Sequence, residues 1–430
     1  MPLWIEPSTA SGLVRAPASK SAMQRAVACA GLADGRSVLT NPSFCDDSLA
    51  AMDVARKLGA AIERRTDSVV IFGGLRPVPE GIVASCGESG LCLRMYSAIA
   101  ALLDVPVDLL AEGSLRNRPA EMVQEALARA GVSCRTRNGF PPVRVQGPVR
   151  GGAFRVDGSE SSQFLTGLLI ALAKAPLDST VDVEGLASRG YIDLTLGIMG
   201  HFGARSERDA RFRHFSIEGG SGYEAREYEV EGDWSAGAFL LAAGALAAGP
   251  GGLRVDGLSP ESSQPDRAML EALSLAGAES RVDQDCVTVR ASGLNGFLFD
   301  ARDCPDLFPP LVALASGCEG ETRIKGVSRL RNKESDRAEA LVTEFGRLGL
   351  PISIEADELV IRPAVGKDGR LRGGLIASHG DHRIAMAVAV AGLAAGGRVG
   401  IRGAACVAKS YPDFFKDLGL LGASISGTVD

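Results

Sequence analysis

A short phrase of apolar residue, glycine and apolar residue closes an amphipathic run six times along the chain. The six are Leu58-Gly59-Ala60, Ala130-Gly131-Val132, Phe202-Gly203-Ala204, Ala276-Gly277-Ala278, Leu348-Gly349-Leu350 and Leu421-Gly422-Ala423. Successive glycines stand 72, 72, 74, 72 and 73 residues apart, so a single period runs through nearly all 430 residues. A constant period of that length means one supersecondary unit used six times. The glycine marks a helix C-terminus, where it takes the left-handed conformation without steric penalty. Strand-like runs follow it: Ile352-Ser353-Ile354 and Leu359-Val360-Ile361 after Gly349, Val69-Val70-Ile71 after Gly59, and Val287-Thr288-Val289 after Gly277. Each unit therefore ends in a helix and a hairpin.

Upstream of each such helix lies another, apolar nearly all round, at about residues 22–32, 91–103, 164–173, 236–248, 307–315 and 384–395. Helices of that kind are buried inside a domain. The unit is then βαβαββ in outline, and six of them make an α/β protein. Three units per domain give two domains, with the chain crossing between them near Glu231-Gly232-Asp233.

Apolar residues make up 46% of the chain and aromatics only 5%, so the expected cores are closely packed Ala, Val, Leu and Gly. No apolar run reaches the length of a membrane span, and Met1-Pro2-Leu3-Trp4-Ile5-Glu6 carries no export signal. Nine cysteines without a CxxC pair suit a reducing compartment, so a cytoplasmic location is expected. A net charge of −6 argues against nucleic acid as the main partner. Small anions remain compatible, because local charge matters more to them than the sum.

The polar residues punctuating the repeats fall at helix starts. Ahead of the first helices of the units lie Lys20-Ser21 with Arg25, Glu88-Ser89-Gly90 with Arg94, Ser161-Ser162-Gln163, Asp233, Asp306 and Asp381-His382-Arg383. At the starts of the second helices lie Asp46-Asp47, Arg116 and Arg118 before Pro119, Ser188-Arg189 with Tyr191, Asp266, Lys333-Glu334 with Arg337, and Lys409. Helix N-termini attract anions through unpaired N–H groups and the helix dipole. Units arranged alike would bring these ends to one cationic site, whose ligands should carry phosphate and carboxylate.

Each residue also has a plainer reading. Ser161-Ser162, Asp233 and Asp306 are ordinary N-caps, Arg118-Pro119 suits a helix start, and Lys333, Glu334 and Arg337 suit a solvated helix face. His379, Asp381 and His382 lack the partner cluster a metal needs. Cys92 near a helix start reads as a small buried hydrophobe rather than an activated thiol. The plain readings leave unexplained why basic residues recur at helix starts, where a dipole alone prefers acids.

The chain resembles the enolpyruvyl transferases, and within them the branch that acts on shikimate 3-phosphate. The likeness runs through Ala18-Ser19-Lys20-Ser21 with Arg25, Gly87 to Arg94, Arg118-Pro119, Ser161-Ser162-Gln163-Phe164, Tyr191-Ile192-Asp193, Lys333-Glu334-Ser335-Asp336-Arg337, Asp381-His382-Arg383 and Ala408-Lys409-Ser410-Tyr411-Pro412-Asp413. It implies an inside-out α/β barrel fold of two similar domains, each of three βαβαββ units. Residues 16–231 would form one, residues 1–15 and 232–430 the other, with the active site in the cleft between them.

The resemblance also implies a reaction: transfer of the enolpyruvyl group of phosphoenolpyruvate to the 5-hydroxyl of shikimate 3-phosphate, with release of phosphate. By motif, Ser21 and Arg25 would hold the shikimate carboxylate, and Ser161, Ser162, Ser188 and Lys333 its phosphate, with Gln163, Tyr191 and Asp306 also lining this substrate. Phosphoenolpyruvate would set its phosphate among Lys20, Gly90, Arg118, Gln163 and Lys409, and its carboxylate against Arg337 and Arg383. Planar guanidinium groups suit carboxylates because they bond both oxygens at once. Asp306 would be the base, and Lys20 and Glu334 the proton-handling pair. No cofactor and no metal are implied. The expected partners are the two small substrates, with no nucleic acid or membrane, and a monomer is expected. Closure of the domains on substrate follows from ligands drawn from both halves.

Three departures stand out. The loop that usually reads Asn-Ala-Gly-Thr is here Glu88-Ser89-Gly90-Leu91, and Met95 stands where proline follows the arginine. Leu91 and Met95 are expected to shift the helix, crowd the phosphoenolpyruvate pocket and lower sensitivity to glyphosate, the family's phosphonate inhibitor. Arg329 and Gly380 each replace an asparagine. The sister branch acting on UDP-N-acetylglucosamine carries a cysteine before its Arg-Pro pair, and Ala111-Glu112-Gly113-Ser114-Leu115 has none. A paralogue acting on another cyclic hydroxy acid, or a noncatalytic relative, are the remaining alternatives.

Overall fold

The computed structural model describes residues 1–159 and 161–429. The chain forms two compact units, one of Ala18–Glu231 and one of Met1–Pro17 with the chain from Gly232 onward. Ala16 and Pro17, which the sequence reading assigned to the first of these, group instead with the second. The Ala16 N–H donates to the Asp256 carbonyl at 2.8 Å, extending the ladder of strand Gly12–Arg15, and the Pro17 carbonyl accepts from Asp233 N–H at 2.8 Å.

The first unit contains α1 (Lys20–Leu32), α2 (Asp46–Leu58), α3 (Gly90–Ala100), α4 (Glu121–Arg129), α5 (Gln163–Lys174) and α6 (Gly190–His201). Its strands form three four-stranded sheets of one design, a parallel pair followed by an antiparallel hairpin. In one, Ile82–Ser85 pairs in parallel with Val107–Leu110, which pairs antiparallel with Phe140–Gln146, and Ser133–Arg137 takes the edge. The sheet around Arg36–Thr40 takes its parallel strand from Glu227–Glu229, nearly two hundred residues later in the chain.

The second unit contains α7 (Trp234–Ala247), α8 (Met269–Leu275), α9 (Phe308–Ala315), α10 (Arg337–Arg347), α11 (His382–Leu393) and α12 (Phe414–Leu420). It repeats the sheet design three times and borrows from the start of the chain twice. Gly12–Arg15 pairs in parallel with Leu253–Asp256, while Leu3–Glu6 lies antiparallel between Val399–Arg402 and Ser424–Ser426.

Within each unit the odd-numbered helices form the centre. Every residue of α3, α9 and α11 is buried, and α7, α9 and α11 pack on one another. Small side chains permit this. A β-carbon on Gly167 of α5 would stand 2.3 Å from the Met95 carbonyl oxygen of α3, so only glycine allows that approach. The outer helices α2 and α4 are amphipathic and follow the dipole, as in α2 with Asp46 and Asp47 in its first turn and Arg56 and Lys57 in its last.

All six repeat glycines have positive φ, from +74° at Gly131 and Gly277 to +127° at Gly59. The residue after each donates its N–H to the carbonyl five residues back: Ala60 to Ala55, Val132 to Leu127, Ala204 to Met199, Ala278 to Leu273, Leu350 to Phe345 and Ala423 to Leu418, at 2.9–3.1 Å. This is the Schellman closure of a helix, repeated six times. Among the described residues no helix is long and apolar enough to cross a membrane.

Candidate functional site

In the unit Ala18–Glu231, the starts of several helices meet. Lys20 opens α1 behind Ser19, whose hydroxyl accepts from Ala22 N–H at 3.2 Å. Its ammonium lies 3.0 Å from the Asp47 carboxylate in the first turn of α2, with both side chains largely covered. Ser89 caps α3, accepting from Cys92 N–H, and its hydroxyl donates to Gln24 Oε1 of α1 at 3.1 Å. Arg118 lies against Gly90, where an added β-carbon would stand 2.8–2.9 Å from guanidinium atoms. Arg94 donates to Gln163 Oε1 at 2.8 Å and to the Pro119 carbonyl at 2.9 Å. Ser161 Oγ accepts from Gln163 N–H at 3.2 Å, whereas Ser162, in the N-cap position of α5, makes no side-chain capping bond.

Arg25 is 2% exposed, far from the solvated state of most arginines. Its Nε donates to Thr195 Oγ1 at 2.9 Å, Nη1 to the Ser21 carbonyl at 2.8 Å, and Nη2 to Thr166 Oγ1 and the Tyr191 carbonyl at 3.3 and 3.4 Å. Its guanidinium carbon stands 5.7 Å from the centre of the Tyr191 ring. All these acceptors are neutral, and burial pulls its pKa down to about 10. Ser188 is buried with φ +58°, a conformation costing of order 1–3 kcal/mol outside glycine.

In the other unit the charges are arranged differently. Asp306, in the turn before α9, accepts from Arg337 Nη1 at 2.9 Å and Arg383 Nη2 at 3.1 Å, with Lys333 Nζ at 3.7 Å. Arg337 is fully buried and also donates to Glu334 at 2.6 Å and Asp381 at 3.0 Å. This excludes the plain reading of Lys333, Glu334 and Arg337 as a solvated face. Burial opposes the Arg337 charge, but Asp381, Glu334 and Asp306 outweigh it, so its pKa is raised above the ordinary value. Asp381 caps α11 by accepting from Arg383 N–H at 3.0 Å, and it accepts from the Ser335 hydroxyl at 3.1 Å. Lys409 Nζ donates to the Gly380 carbonyl at 2.8 Å. Asp266, before α8, is buried and accepts from the Ser235 hydroxyl of α7; burial and the charge of Asp306 push its pKa up to about 6.

The departures at Glu88, Leu91, Met95 and Gly380 have local settings. Glu88 accepts from the Ser114 N–H and hydroxyl at 2.9 and 3.0 Å, buttressing the loop of Gly90 against the stretch that leads to Arg118. Leu91 and Met95 belong to the hydrophobic core of their unit, on α3, which packs against α5. Gly380 has φ +66°, a left-handed conformation that glycine and asparagine both tolerate. Cys92 is fully buried and its pKa is raised far above the ordinary thiol value by burial, as suits a packing residue.

Sequence reasoning placed Asp47, Asp266 and Asp381 at the converging helix starts without giving them partners, and it did not single out Thr166 and Thr195. Each reads locally as a cap, a first-turn acid or a mid-helix threonine, and its partner is distant in sequence.

Solved structures establish the class. An EPSP synthase from Acinetobacter baumannii superposes with a TM-score of 0.81 at 26% identity, covering 99% of this chain and all of the other. The enolpyruvyl transferase NikO from Streptomyces tendae superposes at 0.78 with 20% identity, over 99% and 98% of the two chains, which shows the shared fold. The fold is thus the two-domain enolpyruvyl transferase fold. The EPSP synthase (3-phosphoshikimate 1-carboxyvinyltransferase) family matches residues 5–418, and the chain belongs to that family. Relatives named 3-phosphoshikimate 1-carboxyvinyltransferase include those of Halobacterium salinarum, 39% identical over 98% of this chain and 99% of that one, and Clostridium kluyveri, 36% identical over 98% and 97%. That of Aeropyrum pernix is 38% identical over 98% and 96%.

Proposed function

We propose that Asp306, Glu334 and Lys20 perform the proton transfers of the family's reaction in this chain. That reaction moves the enolpyruvyl group of phosphoenolpyruvate to the 5-hydroxyl of shikimate 3-phosphate and releases phosphate, a step of the shikimate pathway. The observation that carries the assignment is the environment of Asp306, a carboxylate contacted by Arg337, Arg383 and Lys333. These contacts fix the carboxylate's position, which a group that accepts a hydroxyl proton needs. Arg337 bridges Asp306 to Glu334, which fixes the base relative to one member of the proton-handling pair.

In the addition step an acid, Glu334 or Lys20, protonates the methylene carbon of the enol, leaving positive charge at C2. The 5-hydroxyl oxygen bonds to C2 as Asp306 takes its proton, giving a tetrahedral adduct. In the elimination step a methyl proton returns to the protein, the double bond re-forms and the C2–O bond to phosphate breaks. Ser21, Arg25, Ser161, Ser162, Gln163, Ser188, Tyr191 and Lys333 bind shikimate 3-phosphate in this reading. Lys20, Gly90, Arg118, Gln163, Arg337, Arg383 and Lys409 bind phosphoenolpyruvate. The donors of Arg337 already face three carboxylates, so a substrate carboxylate at Arg337 displaces one of them. The absence of disulfides among the described cysteines supports a cytoplasmic setting, and we expect the chain to act as a monomer on these two small molecules.

The test is phosphate release by the purified protein given both substrates, with the carbon product followed by NMR. Release matched by enolpyruvyl product, and reduced by about 10²–10⁴ in Asp306→Ala, is the expected result. Binding of both substrates with no turnover would overturn it.

A further inference from the structure

Glu344 is a carboxylate with no exposed side-chain surface, on α10 two turns beyond Arg337, and the reaction as described does not use it. It accepts from His379 Nε2 at 2.7 Å, from Ala377 N–H at 3.2 Å and from Arg347 Nη1 at 2.8 Å. A carboxylate oxygen only accepts, so the proton between Glu344 and His379 belongs to Nε2. Burying a carboxylate is costly unless it is bonded. Glu344 is therefore a fixed anchor, and two of its bonds grip residues 377 and 379.

Those residues lead into a strained loop. His379 has φ +54° and Gly380 φ +66°, two consecutive left-handed residues, the first of them not glycine. Such a conformation persists only where its surroundings hold it. Ser378 holds one side, donating to the Gly403 carbonyl at 2.9 Å and accepting from Gly380 N–H at 3.2 Å. Gly403 opens the turn Ala404–Lys409. His379 holds the other side, through Glu344. The loop delivers the Gly380 carbonyl to Lys409 and the Asp381 carboxylate to Arg337.

We propose that Glu344 and His379 are positioning residues that hold this loop so that Lys409 and Arg337 are placed for phosphoenolpyruvate. The proposal rests on the assignment of Lys409 and Arg337 to that substrate. His379 does not touch substrate in this account; it acts through the Gly380 carbonyl and Asp381.

The experiment measures kcat and both KM values for His379→Gly, His379→Gln, Glu344→Gln and Lys409→Met. Glycine tolerates the left-handed backbone but removes the ring, so H379G breaks the clasp without adding strain, while H379Q keeps an N–H donor near the place of Nε2. Loss of one charge-assisted hydrogen bond predicts a rise of about tenfold in the phosphoenolpyruvate KM of H379G. Its KM for shikimate 3-phosphate should stay within about twofold, and H379Q should recover most of the loss. Because E344Q touches a buried group, its circular dichroism is recorded first, and H379G decides the question if E344Q does not fold. Wild-type kinetics in H379G, equal rises in both KM values, or no recovery in H379Q would overturn the clasp. An unchanged phosphoenolpyruvate KM in K409M would instead overturn the substrate assignment beneath it.

Discussion

Arg25 and Arg337, one in each unit, are the arginines among the largest fully buried side chains, and the two are treated in opposite ways. Arg25 in α1 meets hydroxyls and backbone carbonyls, with no carboxylate paired to it among the described residues. Arg337 in α10 meets Asp306, Glu334 and Asp381. The pKa of Arg25 is consequently lowered, and that of Arg337 raised. A buried cation fixed by neutral groups keeps its charge available to an incoming anion, while one fixed by three carboxylates orients those carboxylates. The same residue type is thus held by neutral acceptors in α1 and by three carboxylates at the start of α10.

The comparison breaks most visibly on removal of the charge. Arg337→Met takes a buried cation away from three carboxylates and should cost about 3–5 kcal/mol in urea unfolding. Arg25→Met strands only neutral acceptors and should cost about 1–3 kcal/mol. Equal costs would mean that Arg25 has an anionic partner in the folded protein.

Asp266 sharpens the carboxylate-rich half. Its pKa is raised from 3.8 to about 6 by burial first and Asp306 second, with Asp233 adding and Arg383 and Ser235 opposing. A raised acid favours the protonated form in the fold. Its contribution to stability is therefore fully present below pH 3.8 and is lost as pH rises through about 6. Asp266→Asn imitates the protonated carboxyl, so the variant should gain up to about 3 kcal/mol at pH 7.5. That advantage should vanish near pH 4 when Tm is followed against pH. A gain independent of pH would place its origin in packing.

How much of this was legible depended on whether a residue's demand is local. Gly59, Gly131, Gly203, Gly277, Gly349 and Gly422 announce helix ends because each needs only its own backbone and a carbonyl five residues back. The strand Glu227–Glu229 has almost no apolar pattern, and its place beside Arg36–Thr40 comes from pairing across most of the unit. Lys20, Arg118, Arg337 and Arg383 stood out because a helix start prefers acids, so a base there asks for another explanation. Asp47 and Asp381 satisfy that same preference, so nothing local marks them as the groups that Lys20 and Arg337 contact. Thr166 and Thr195 become partners of Arg25 only when α5 and α6 are packed against α1.

The finest test of the comparison keeps the charge and changes only its shape. Arg25→Lys retains a cation in α1 but loses the planar fork that reaches Thr195, Ser21, Thr166 and Tyr191 together. If Arg25 is fixed by neutral groups in order to present a guanidinium to the carboxylate of shikimate 3-phosphate, the KM for that substrate should rise about tenfold, on the order of 1.4 kcal/mol. The KM for phosphoenolpyruvate should stay within about twofold, because the residues assigned to its carboxylate, Arg337 and Arg383, lie in the unit where carboxylates set the geometry. Steady-state kinetics with each substrate varied in turn separates the two. A parallel rise in both KM values would make Arg25 a strut for its helices, and the contrast with Arg337 would then concern packing rather than ligand choice.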